Sequence, residues 1–470
     1  MTRLPRLSIL LCWLFILCAA VLTTSPAQSA AGGSSLDFSM HRMGPGEGPT
    51  LLVIGGIQGD EPGGFSAAAL LTTHYTITRG EVWVVPNLNF PSIITRSRGN
   101  SGDMNRKFAH IDAKDPDYHA VRRIQEIILD PQVDLVLNLH DGSGFYRPHY
   151  ENELMNPKRW GQCVIIDQED MDADHPFSNL IRMADAAVAD ANMGLLKPEH
   201  QYHTRNTRTR EGDKEMEKSL SYFALRNGKA AFGVEASKNF TTEYRSYYHI
   251  CILESFMRQM GIEFTRHFPL SPKGVQTAIN SNIGISLCAG RVVIPLDNVR
   301  PAIAGYVPLR RNAALEAAGS SPLLAVLPEK NKWQVAYGNR RLTLITPEYL
   351  DFDDSLTQLE LVVDGKTVTV FPGEIVWAES SFLVRSQKGF RVNAIGARKE
   401  KKDGSECEVE LRKADFMNNY SIDVGGTTYR VEIYKGKAFA GMFLVRFGTF
   451  VPASGQTMTA TQSVETRFGF

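Results

Sequence analysis

Cysteine is scarce in this chain, and no two of its six cysteines form a Cys-x-x-Cys pair. Nor does either sign of charge dominate: 51 Lys and Arg balance 51 Asp and Glu, with a pI near 7.2. That balance excludes a nucleic-acid binder held by bulk charge and a polybasic membrane anchor. No period repeats along the 470 residues, so a solenoid is excluded as well. With 43% apolar and 22% charged residues the composition is that of a folded protein. The length suffices for two or three domains. After the first two dozen residues no stretch is apolar enough to span a membrane.

What is present begins at the N-terminus. Arg3 and Arg6 precede an apolar run from Leu7 to Leu22, followed by small residues from Ala27 to Ala31. Basic, apolar and small-residue regions in that order predict a secretory signal peptide over residues 1–31. The run of about 16 residues is shorter than the ~20 of a spanning helix. The mature protein is therefore expected to be exported, with no stable membrane span. Cys12 and Cys18 leave with the signal; Cys163, Cys251, Cys288 and Cys407 stay, and an oxidising compartment permits pairings among them that spacing does not choose.

Residues 35–267 alternate strand-like and helix-like patterns. Apolar runs at 50–55, 81–85, 133–139, 163–166 and 230–234 predict strands, and amphipathic stretches at 65–74, 117–129, 175–191 and 244–260 predict helices. Such alternation implies an α/β fold, a mixed central sheet with helices on both faces. After Phe268-Pro269-Leu270-Ser271-Pro272 the pattern turns to short strands and turns. It predicts a β-rich domain over 268–338, a β-sandwich-like domain over 339–451 and a polar tail over 452–470. Asp364-Gly365 and Gly425-Gly426 are expected hairpin turns.

The polar residues of the first domain gather just after its strands, where open α/β sheets build their sites. The run Leu51 to Ile54 ends in Gly55-Gly56-Ile57-Gln58-Gly59-Asp60-Glu61-Pro62. Gln58 and Glu61, three apart, face one point on a helical turn. The second strand is followed by Arg96, Arg98 and Gly102-Asp103-Met104-Asn105-Arg106, the third by His140-Asp141, and a later one by Glu235. Singly each has an ordinary explanation: a turn amide, a first-turn carboxylate favoured by the helix dipole, a surface pair, a structural histidine, or Glu235 paired with Lys238.

Together, in this order, the motifs resemble the M14 zinc carboxypeptidases. That family's first motif, Gly-Gly-x-His-Gly-Asp-Glu-Pro, matches Gly55 to Pro62 except at Gln58. Its second, an Arg and then Gly-x-Asp-Leu-Asn-Arg-x-Phe, matches Arg98 and Gly102 to Phe108. The resemblance implies one Zn2+ ion held by Gln58, Glu61 and His140, with Glu235 as general base and Arg98 beside the oxyanion. It further implies that Asn105 and Arg106 hold the terminal carboxylate of the substrate. Arg96 is a further candidate. His149, His200 and His203 match no motif and are expected to be structural.

Gln58 is the departure from the pattern. A neutral amide oxygen is a weaker donor than imidazole, and its NH2 group needs a partner to fix its direction. It marks either a degraded site or a working variant, and the retained Glu235 favours the second. The glutamine, the export signal and the β-rich extension resemble one subgroup: the periplasmic D,L-carboxypeptidases of curved and helical Gram-negative bacteria. These remove meso-diaminopimelate from the peptidoglycan tripeptide. Muropeptides are the implied partners, and Arg205, in the loop Tyr202 to Arg210, is a candidate for their carboxylates. The competing expectations are an N-acyl-amino-acid deacylase of the same fold and a non-catalytic wall-binding protein.

Overall fold

Alternation along the strands decides the architecture. On the strand Thr50–Ile54, Leu51 and Val53 enter one apolar cluster while Leu52 and Ile54 enter another. On Glu81–Val85, Val82 and Val84 likewise oppose Trp83 and Val85. A strand buried on both faces needs a layer on each side of the sheet.

The computed structural model describes residues 33–171, 174–399, 403–449 and the backbone of 464–465. The expected signal peptide lies outside the described residues. So does the expected tail, apart from the pair Val464–Glu465, whose backbone joins the strand Ile375–Ala378. Among the described residues no helix is long and apolar enough to cross a membrane.

The central sheet comprises β1 (His41–Met43), β2 (Thr50–Ile54), β3 (Glu81–Val85), β4 (Leu135–Gly142), β5 (Cys163–Ile166), β6 (His203–Asn206) and β7 (Ala230–Ser237). Across the sheet they run β1-β3-β2-β4-β7-β5-β6. The four central strands are parallel, while β1 and β5 oppose β3 and β7, so the sheet is mixed, as expected. β2 has β3 on one side and β4 on the other, a switch point at which a crevice opens beyond the carboxyl ends.

One face is covered by α1 (Pro62–His74), α4 (Leu180–Met193), α6 (Thr242–Gln259) and α7 (Pro272–Asn280). The other is covered by α3 (Tyr118–Leu129) and α5 (Leu220–Arg226). A short helix, α2 (Phe90–Thr95), follows β3. Helix α4 starts at Leu180, where Asn179 Oδ1 accepts from Arg182 N, and not near Asp174. The Pro-rich break hides α7, whose start carries a Ser271 cap on Gly274 N and Pro272 at its first position.

The β-rich part is divided differently from the expectation. Residues around 339 form the turn of a hairpin, β8 (Lys332–Tyr337) with β9 (Arg340–Ile345), so a boundary there would cut one sheet. Ile285, Val292, Leu309, Val326 and Ile345 also belong to the cluster that holds α1 and α6, so this unit packs as an extension of the α/β core. From about residue 352, and not from the expected 339, two further sheets enclose a cluster of their own as a sandwich. Asp364-Gly365 is a hairpin turn with both φ angles positive. Gly425-Gly426 is not; the hairpin lies at Gly436, between Lys435 and Ala438. The four described cysteines are free thiols.

Candidate active site

The site grows from the face that α3 and α5 cover incompletely. Along β4 that face carries Val136, Asn138 and His140; along β7 it carries Ala231, Gly233 and Glu235. Apolar residues thus give way to polar ones toward the carboxyl ends. His140 and Glu235 are register partners on adjacent parallel strands, which sets the two side chains next to each other. Gly233 leaves room in front of them and lines the resulting cavity, of about 280 Å³.

From the β2 side the chain turns at Gly56, whose φ of 73° favours glycine. Glu61 is the N-cap residue of α1, yet its side chain makes no capping bond. Asp141 does that work instead, accepting from Gly63 N at 2.8 Å. Gly63 is glycine because a Cβ there would stand 2.3 Å from Arg245 Cβ. Asp141 also accepts from Arg245 and, at 3.1 Å, faces His249 Nε2. Burial opposes its charge, but the His249 and Arg245 contacts outweigh burial and hold the carboxyl below its ordinary range. Glu61, relieved of capping, points into the cavity.

There His140 Nδ1 stands 3.0 Å from Glu61 Oε2 and 3.2 Å from Gln58 Oε1. A tetrahedral ion with bonds of ~2.1 Å keeps neighbouring donor atoms about 3.4 Å apart, so the three groups have the spacing of a ligand set. Gln58 Nε2 donates to Asp103 Oδ1 at 2.8 Å, which turns the amide oxygen toward His140. Burial works against the Asp103 charge, but the Gln58 amide and the Arg98 guanidinium outweigh it and keep the carboxyl below the usual range. Among the described residues no three His, Cys, Asp or Glu side chains are placed to hold an ion. The set is complete only with Gln58.

Around it, Arg98 bridges Glu61 Oε1 at 3.5 Å and Asp103 Oδ2 at 3.0 Å. Lys238 Nζ reaches Asp60 at 2.8 Å and Glu61 Oε1 at 3.4 Å. Asn105 Nδ2 lies 3.4 Å from His140 Nε2, and Asn105 Oδ1 accepts from Leu220 N. Glu235 is 8% exposed, and its Oε2 has no hydrogen-bond partner among the described residues. Burial pushes its carboxyl up to about 8, against the pull of His140 and with the push of Glu61. Arg106 lines the cavity beside Ser221, Met216 and Trp160.

Seven of the nine expected residues therefore meet at one cavity. Arg96 does not: it caps α2 in the left-handed conformation, and its Nε donates to Asn339 O on the β8–β9 turn. Arg205 stands behind the cavity wall, 3.6 Å over the Trp160 ring, donating to Arg159 O. His200 is buried against Tyr248 and Phe240, away from the cluster. Two further members have no role assigned by the motifs: Asp103 lies inside the second motif, and Lys238, expected only as an ordinary partner of Glu235, pairs with Asp60 and Glu61 instead.

A family model described as the catalytic domain of carboxypeptidases controlling helical cell shape matches residues 37–280. The chain belongs to that family. A second model, the C-terminal domain of metallo-carboxypeptidases, matches 352–448, the sandwich unit. The molecule is thus a metallocarboxypeptidase. It is similar to the apo structure of the cell shape determinant protein Csd4 from Helicobacter pylori: 38% identity over 88% of this chain and 100% of that one, TM-score 0.79. The mDAP-bound form of Csd4, described as a D,L-carboxypeptidase, matches at 37% identity, covering 87% of this chain and 100% of that chain, TM-score 0.79. A curated relative, N-alpha-acetyl-L-2,4-diaminobutyric acid deacetylase from Halomonas elongata, is 35% identical over 129 residues, 26% of this chain and 36% of its own. The chain spans about a third of that deacetylase. The family implies a metal, and the donor set around His140 fits one: two oxygens and an imidazole nitrogen, one of them charged, with the neutral amide fixed from behind.

Proposed function

We propose that this protein is a periplasmic zinc D,L-carboxypeptidase that removes meso-diaminopimelate from the peptidoglycan tripeptide, leaving L-Ala-D-Glu. The observation that carries this reading is the triangle of Gln58, Glu61 and His140 with Glu235 beside it and two arginines across the same cavity. The full-length likeness to Csd4, whose solved forms include tripeptide-bound and mDAP-bound ones, supports the substrate. The reading of residues 1–31 as a signal peptide supports export.

Gln58 Oε1, Glu61 and His140 Nδ1 would hold the ion. Bound there, zinc supplies Lewis acidity, which acidifies water and polarises the scissile carbonyl. Glu235 takes the proton of the attacking water and hands it to the departing amine of diaminopimelate. Its half-apolar surroundings suit that work, since a base held above the ordinary carboxylate range returns a proton as readily as it accepts one. Arg98 stands at the mouth, where its guanidinium stabilises charge on the carbonyl oxygen. Arg106, with Asn105, pairs with the terminal carboxylate in bidentate fashion and selects a chain end over an internal bond. Trp160, held flat by Arg205, forms the wall along which the side chain of the substrate lies.

The test is incubation of the zinc-loaded protein with defined muropeptides. Release of diaminopimelate from the tripeptide, lost on chelation and in Glu235→Ala, supports the reading. Deacetylation of N-alpha-acetyl-diaminobutyrate without tripeptide cleavage would move the assignment to the deacylase, and muropeptide binding with neither reaction to a wall-binding role.

A further inference from the structure

A second cavity lies on the other side of α1, closed by the first turns of α1 and α6, by α7 and by the β8–β9 turn. It measures about 200 Å³ and opens beside Gln276 and Asn280. Phe65, Ile279 and Leu323 supply apolar walls, and all three are buried. Its one cation among the described residues is Arg340; the carboxylate of Glu243 and the polar side chains of Ser66, Thr242 and Asn339 also line it, and among the described residues Glu243 forms no ion pair with Arg340. The guanidinium stacks over Tyr337 with 5.1 Å to the ring centroid, and Nη1 donates to Asn280 Oδ1 at 2.8 Å. Nη2 is buried and has no hydrogen-bond partner among the described residues. An arginine stays charged at any physiological pH, and the buried edge of this half-buried guanidinium, at Nη2, meets no acceptor among the described residues, which is costly. The arrangement therefore asks for an anion.

We propose that this cavity binds a small aliphatic carboxylic acid, its carboxylate on the Arg340 guanidinium and its apolar body against Phe65, Ile279 and Leu323. At ~30 Å³ per water-sized group the space holds about six or seven heavy atoms, the size of a branched five-carbon acid. A planar carboxylate matches the open edge of the guanidinium better than a tetrahedral anion, which would leave oxygens against the apolar walls. The site is separate from the one at His140. Pro62, which lines it, nonetheless follows Glu61 directly, and Asn339, which also lines it, accepts the Arg96 bond.

Isovalerate is the probe and neutral isovaleramide its control, titrated into full-length Arg106→Gln protein so that the active-site arginine does not compete for the acid. Saturable binding of isovalerate, at least tenfold weaker for isovaleramide, is the expected result. Arg340→Gln and the cavity-filling Ile279→Phe should each weaken it at least tenfold, with thermal melts confirming that both fold. No saturable binding, or equal binding by either folded variant, overturns the proposal.

Discussion

The side-chain amide of Gln58 donates to Oδ1 of Asp103 at 2.8 Å, and this bond decides which atom of the amide faces His140. A carboxylate accepts only, so the NH2 group must turn to it and the oxygen must turn away. Asp103 meanwhile receives Asn105 N at 3.0 Å and Arg98 Nη2 at 3.0 Å. A weak neutral donor thus acquires a fixed direction from a residue that also anchors Arg98 and the turn that carries Asn105 and Arg106.

Asp103 should accordingly behave as a positioning residue for the metal. Asp103→Ala is expected to weaken zinc binding by about 10- to 100-fold, the usual cost of losing an outer partner. Competition with a chromophoric chelator measures it. Unchanged metal affinity would show that the amide needs no such support.

Glu235→Gln keeps the size of the side chain and removes the carboxylate proposed as the base. Turnover of the tripeptide is expected to fall by about 10²- to 10⁴-fold, while zinc content and tripeptide affinity stay within a fewfold of the parent. A proportionate loss of metal would instead make Glu235 a ligand.

Arg106, which lies within the second motif, and Arg96, which lies outside it, are expected to separate in kinetics. Arg106→Gln should raise KM for the tripeptide about 10-fold or more, since a charge-assisted bidentate pair contributes ~1.5–3 kcal/mol. Arg96→Gln should leave kcat/KM within about twofold and cost no more than ~1.5 kcal/mol in stability, because its bond to Asn339 O lies outside the cavity. Equal effects on KM would return Arg96 to the site.

The contrast shows what could be read from the chain and what could not. Gln58, Glu61, His140 and Glu235 sit at or just past strand ends, and a strand end in an open parallel sheet fixes both position and direction. Asn105 and Arg106 ride a single 3-10 turn capped by Asp103, so their motif carries its own geometry. Arg96 and Arg205 depend on loop backbones: one left-handed residue turns Arg96 outward, and a stacked tryptophan claims Arg205. Spacing along the sequence registers neither event. The same holds for the boundary expected at 338–339, where the tight turn between β8 and β9 reads as a break although the strands pair across it.

Asp167 gives a test by pH. It is 1% exposed at the end of β5, and it accepts from the hydroxyls of Thr207 and Thr209, tying the strand to the loop after β6. Burial pushes its carboxyl above the ordinary range, and the hydroxyl bonds only partly offset this. The folded state therefore binds the proton more tightly than the unfolded chain, whose Asp titrates near ~3.9. The stabilising contribution of protonation is fully present below that value and is lost as pH rises through the folded pKa. Asp167→Asn keeps an acceptor oxygen and cannot ionise. Its stability relative to the parent, from urea unfolding at pH 3.5 and pH 7, should shift in favour of the variant at the higher pH. Parallel curves at the two pH values would show that Asp167 reaches water when folded.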